Sequence, residues 1–216
     1  PPSLVAGLAQ ATQLAPIELV LTCVVHPDER ATCWPDNYLM RSGIGAWTNM
    51  MAEPLSNGIR RRWAAVVPGR AQICGVDVDG RVYCGGSNTH GQLGNGTLNT
   101  SMALSRVEGI EGVQELALSQ IHACARDEDG WVWCWGSNQW GGLGLELEPG
   151  GQQNNLHPLP QYVQGLGPTR TLSVSSMRSC AITQADEAVC WGAPGALGIR
   201  SSPDNRFNQA RSPVLG

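Results

Sequence analysis

Eight cysteines carry the most reactive chemistry in this 216-residue chain. They are Cys23, Cys33, Cys74, Cys84, Cys124, Cys134, Cys180 and Cys190, four pairs whose members stand ten positions apart. Thiols at fixed spacing either close disulfides or hold a soft metal. A tetrahedral zinc site wants short C-x₂₋₄-C spacing and more than two thiolates, so one C-x₉-C pair per segment fits a metal poorly. It fits a hairpin well. Asp129-Gly130 is a turn signal flanked by alternating residues. A three-residue loop, Glu128 to Gly130, sets Cys124 directly opposite Cys134. Facing residues at a non-hydrogen-bonded site lie about 4.5 Å apart at Cα, the short end of the disulfide range. The spacing therefore predicts four cross-strand disulfides, each contributing roughly 2–3 kcal/mol in the chain-entropy model. Asp186 takes the glycine position of the fourth turn, which is tolerable. Glu29 takes it in the first, beside Pro27, and that hairpin is expected to be distorted.

The other reactive residues form no constellation. His26, His90, His122 and His157 share no motif spacing, and neither H-x-x-x-H nor H-E-x-x-H occurs. There is no G-x-S-x-G elbow and no Walker loop. Asp77-x-Asp79-Gly80 and Asp127-x-Asp129-Gly130 mimic the start of a calcium loop but lack its later oxygen ligands. They read as hairpin turns. Arg60-Arg61-Arg62, the single basic cluster, reads as a solvated edge. No catalytic, cofactor-binding or metal-ligating residue is assigned.

The elements that must position the cysteines repeat with them. The first members of the pairs lie 51, 50 and 56 residues apart, a period that signals a repeat architecture. Repeat two reads Cys74-GVDVDGRVY-Cys84-GGSN followed by Gly91-Gln92-Leu93-Gly94. Repeat three reads Cys124-ARDEDGWVW-Cys134-WGSN followed by Gly141-Gly142-Leu143-Gly144. Repeat four ends in Gly195-Ala196-Leu197-Gly198, and repeat one, the most divergent, in Gly43-Ile44-Gly45. A V-x-G-[LI] element or its remnant precedes each pair, as at Val107 to Ile110 and Val163 to Leu166. The expected organisation is one domain over 1–216 with repeats at 5–54, 55–106, 107–162 and 163–216. Pro2 to Leu8 and Ser212 to Gly216 carry the same kind of element, so the chain is expected to be a piece of a longer repeat protein.

Taken together, V-x-G-L, [H/S]-x-C-A, D-G-x-V-x-C-W-G-x-N and G-Q-L-G resemble the regulator of chromosome condensation repeat, in its secreted bacterial form with paired cysteines. The resemblance rests on Gly80, Val82, Gly86, Asn88 and Gly91 to Gly94, and on His122, Gly130, Val132, Trp133, Trp135, Gly136, Asn138 and Gly141 to Gly144. It implies an all-β propeller of antiparallel four-stranded blades, usually seven. Four repeats then mean either a four-bladed ring or a partial ring of a larger propeller. It also implies a structural His122 that hydrogen-bonds within its blade, and Trp133 and Trp135 in blade packing.

The formal charge is −4, with 15% charged residues and every one of the 14 basic residues an arginine. That balance does not favour nucleic acid or an anionic membrane as partner. No stretch reaches the roughly 18–20 apolar residues of a membrane span. Four disulfides argue for an oxidising, extracytoplasmic compartment, and with it against nucleotide exchange on a small GTPase at chromatin, the family's founding role. The sequons at Asn95 and Asn99 matter only if the host glycosylates secreted proteins. Long connections often form the binding face of repeat proteins. Those here place Trp47, Met50, Met51, Trp140, Leu145 and Leu147 as partner-binding residues. The expectation is a non-catalytic, secreted or surface protein-interaction module, a subunit of an extracytoplasmic assembly with protein partners and no cofactor. A secreted enzyme inhibitor, and a propeller enzyme with a site built from inter-blade loops, are the alternatives.

Overall fold

The computed structural model describes residues 13–16, 21–35, 61–70, 72–145 and 155–193. They form four antiparallel sheets, with no helix among the described residues. The first contains β1 (Gln13–Pro16), β2 (Leu21–Val25) and β3 (Ala31–Pro35). The second contains β4 (Trp63–Pro68), β5 (Gln72–Asp77), β6 (Val82–Gly86) and β7 (Ser101–Arg106). The third contains β8 (Val113–Leu118), β9 (His122–Asp127), β10 (Val132–Ser137) and β11 (Leu156–Tyr162). The fourth contains β12 (Thr169–Ser175), β13 (Arg178–Thr183) and β14 (Ala188–Gly192). Strands run in chain order across each sheet. The second and third sheets have four strands; the positions where a fourth strand of the others is expected lie outside the described residues.

The central hairpin of every sheet obeys the cysteine register. Cys23 faces Cys33, Cys74 faces Cys84, Cys124 faces Cys134 and Cys180 faces Cys190, each pair 4.1 Å apart at Cα and joined as a disulfide. The turn has three residues, as the sequence predicts. Gly130 N–H donates to the Asp127 carbonyl at 3.0 Å, and Gly130 takes a φ of 87°, the left-handed conformation that closes such a loop. Asp127 Oδ1 accepts the Trp131 N–H at 2.8 Å, and Asp77 Oδ1 accepts those of Asp79 and Arg81. These aspartates cap turns, which is why the calcium-like spelling appears there.

The first hairpin is not distorted, contrary to the sequence expectation. Glu29 sits at φ 63°, its N–H donates to the His26 carbonyl at 2.8 Å, and Val25 still faces Ala31. Pro27 occupies the second position of this turn, where its fixed φ is favourable and no N–H is needed. Glutamate bears the cost of the positive φ.

Consecutive sheets pack face to face. The face of each sheet turned to its successor, its forward face, carries the disulfide. Cys23, Val25, Ala31 and Cys33 bury against Trp63, Val66 and Ile73 of the second sheet. Cys74, Val76, Val82 and Cys84 bury against Val113, Leu116, Ala123, Ala125 and Trp135 of the third. Cys124, Val132 and Cys134 bury against Leu172, Ala181, Val189 and Trp191 of the fourth. The paired small residues of β9 let the sheets approach. Within the second sheet, Trp63 lies across Gly75, where a Cβ would come 2.5 Å from the ring. The arrangement is therefore a series of blades, each capped by the next.

Candidate interaction surface

Motifs that look like separate signals in the sequence meet at the blade interfaces. Asn88 and Asn138 are buried, and their Oδ1 atoms accept the N–H of Leu93 at 2.9 Å and Leu143 at 3.1 Å. Each asparagine thus folds its own G-x-L-G loop and drives that leucine into the core. Gly94 and Gly144 end the loops at φ 67° and 74°. The carbonyl thereby exposed serves the next blade: Trp135 Nε1–H donates to Gln92 O, and Trp191 Nε1–H to Gly142 O, both at 2.9 Å. Sequence reasoning missed this coupling. Its signal was the tryptophan after the second cysteine, which follows a repeat that has a full G-x-L-G loop and is absent at Gly85, whose preceding repeat lacks one.

A polar seam crosses the same interfaces. His122 is buried; its Nδ1 lies 2.8 Å from Ser119 Oγ and its Nε2 3.1 Å from Ser179 Oγ of the next sheet. Ser179 Oγ in turn donates to Gly142 O at 2.8 Å. His122 thus bonds within its blade, as expected, and also beyond it. Burial pushes its pKa down to about 4, so the ring is neutral at pH 7. At the matching position of the second sheet, buried Gln72 donates from Nε2 to Ser119 O at 3.4 Å. Glu115 completes the seam between the third and fourth sheets: it pairs with Arg126 and accepts from Thr171 Oγ1 and the Leu172 N–H. Apart from the buried Gln72 Oε1, which has no partner among the described residues, these groups spend their hydrogen bonds on packing.

The fourth sheet differs. Its forward face presents Thr171, Ser173, Arg178, Cys180, Ile182, Ala188 and Cys190. Ile182 is 37% exposed, whereas its counterparts Val25 and Val76 are 3% and 2%. Cys180 and Cys190 are half-buried; the other six cysteines are buried. Arg178, at the position of Gln72 and His122, is exposed, and its side chain reaches only Ser175 Oγ among the described residues.

Of the residues assigned to partner binding from sequence, Trp47, Met50, Met51 and Leu147 lie outside the described residues. Trp140 is half-buried in the loop after β10. Leu145 packs against the core between the third and fourth sheets. Of the basic cluster, Arg60 lies outside the described residues and Arg62 is exposed, as expected of a solvated edge, but Arg61 is not. Arg61 is half-buried with its guanidinium 3.3 Å over the Tyr83 ring and 3.7 Å from Asp77, because the aromatic face and carboxylate together outbid water for it. Arg62 pairs instead with Glu29 of the first hairpin.

The regulator of chromosome condensation (RCC1) repeat model matches residues 79–125 and 129–182. No curated protein sequence matches the chain. Among solved structures, yeast RCC1 (Prp20), crystallised with Kap60 bound, is 16% identical, covers 96% of this chain and superposes with a TM-score of 0.73. Prp20p from Saccharomyces cerevisiae, whose structure was described with its binding to Gsp1p and histones, is 15% identical over 84% of this chain, with a TM-score of 0.67. Human WBSCR16 is 16% identical over 80%, with a TM-score of 0.62. The chain spans about half the length of these structures, 49%, 45% and 45% respectively. Repeat motif and blade-on-blade packing agree with these matches: residues 79–125 and 129–182 carry the RCC1 repeat, and the fold is that of the RCC1-repeat β-propellers.

Proposed function

We propose that this chain is a non-catalytic protein-interaction module and a subunit of an extracytoplasmic assembly. One observation carries the reading: among the described residues nothing covers the forward face of β12–β14, while the same face of each preceding sheet is covered. Ile182 and a half-buried disulfide on a sheet face favour a covering surface. The four disulfides support an oxidising compartment. We take the chain as one propeller unit with repeats at 5–54, 55–106, 107–162 and 163–216. Trp140 and Leu145, with Trp47, Met50, Met51 and Leu147, are proposed as further contacts around this face.

The test is capture by the disulfide-intact chain from the native extracellular fraction, with Ile182→Arg as the matched control. Ile182 is exposed, so the substitution should change stability by no more than about 0.5 kcal/mol. A protein held by the wild type and lost with Ile182→Arg is the expected result. Equal capture by both, or none by either, overturns the reading.

A further inference from the structure

One spot recurs between successive blades, at their turn-side rim, and its filling changes along the chain. Between the second and third sheets, Trp133 fills it. The indole packs on the core that holds Val107, Ile110 and Trp135, donates from Nε1 to Asp127 Oδ2 at 3.0 Å, and lies 5.5 Å from the Tyr162 ring. One blade later the equivalent floor is Val163, Leu166 and Trp191, but the residues above it have shrunk. Val189 stands where Trp133 stood, Thr183 replaces Asp127 and Glu187 replaces Trp131. The result is an open pocket lined by Val163, Leu166, Thr183, Glu187, Val189 and Trp191. Its make-up matches that of ligand sites: an apolar floor with a few polar groups at the rim.

The polar groups are not equivalent to those they replace. Asp127 caps its turn with Oδ1 and keeps Oδ2 for the indole. Thr183 has one oxygen, and it caps the turn by accepting the Glu187 N–H at 3.2 Å. The acceptor has moved to Glu187, whose carboxylate is exposed and makes no ion pair among the described residues. Val189 and Trp191 belong to β14, whose opposite side carries Cys190 on the open face. Pocket and face thus sit on the two sides of one strand.

We infer that this pocket receives a tryptophan side chain of a protein partner, in the place that Trp133 fills one repeat earlier, with Glu187 accepting its indole N–H. The inference rests on the protein-interaction reading and names the chemistry of the partner's anchor. Interface hot spots are commonly aromatic groups seated in such pockets.

The probe is N-acetyl-tryptophanamide, titrated into the disulfide-intact chain and followed by amide shifts, with N-acetyl-alaninamide as control. Saturable shifts at the pocket residues are expected for the tryptophan compound alone. Val189→Trp, which rebuilds the third blade's filling, should weaken binding at least about tenfold; Glu187→Gln should weaken it severalfold and leave the fold intact. Absence of saturable binding, including through occupation of the pocket by this chain's own residues, overturns the inference. So does unchanged affinity in both variants. If the probe fails while Ile182-dependent capture persists, the pocket reading falls and the interaction reading stands.

Discussion

The third and fourth blades carry the same stapled hairpin in opposite surroundings. In the third, Cys124 and Cys134 are fully buried beneath Leu172, Ala181 and Trp191, and His122 reaches across to Ser179. In the fourth, Cys180 and Cys190 are half-buried, Ile182 is exposed and Arg178 takes the place of the bridging histidine. The difference shows that the staple does not need a covering blade in order to form. Local strand register makes it; the neighbouring blade decides whether it becomes core. A blade is thus a unit closed internally by a disulfide and externally by its successor, as expected where each repeat mainly contacts its neighbours.

The largest effect expected from disturbing this contrast is at the indole anchors. Trp135→Ala removes a buried ring and leaves Gln92 O without its donor. It should cost about 3–5 kcal/mol, whereas Ile182→Ala on the open face should cost well under that. Urea denaturation of both variants with disulfides intact measures the gap, and equal losses would mean the fourth blade's face is covered in solution.

Acid should act next on the covered interface. The folded pKa of His122 lies near 4, below the ordinary value near 6.5. The unfolded chain therefore takes up the proton first, so this stability is fully present above about pH 6.5 and is lost as pH falls toward 4. The loss is on the order of 3 kcal/mol across that window. His122→Gln, borrowing the residue that Gln72 supplies one blade earlier, should flatten this part of the pH profile in denaturant titrations. A profile unchanged by the substitution would place the proton uptake elsewhere.

The smallest effect sharpens the comparison without mutation. Mild reductant followed by alkylation and peptide mass mapping should open Cys180–Cys190 first, because a thiolate must reach the sulfur it attacks. The three buried disulfides should survive until unfolding. Simultaneous opening of all four would show that the last blade is as well covered as the others.

The hairpins were the most legible part of the chain. Cys124 and Cys134 are ten residues apart around Asp129-Gly130, so turn chemistry and strand alternation set their register within one short segment. The first turn was misjudged because Pro27 was read as a disturbance, although it sits where a type I turn favours proline. Arg61 was misread for another reason: its partners Tyr83 and Asp77 lie on strands that sequence spacing does not bring to it.

The sequence by itself determined the local units: four cross-strand disulfides, three-residue turns and a repeat recognisable as RCC1. Each is decided by contacts within about ten residues, where the chain's own geometry leaves few choices. Only the tertiary structure decided what those units face. Trp135 finds Gln92 at a separation of 43 residues, and His122 finds Ser179 at 57. Only stacking one sheet on the next turned Val189 into the wall of a pocket and left Ile182 in water. Burial depends on what comes to rest against a face, and the residues of that face do not encode their cover.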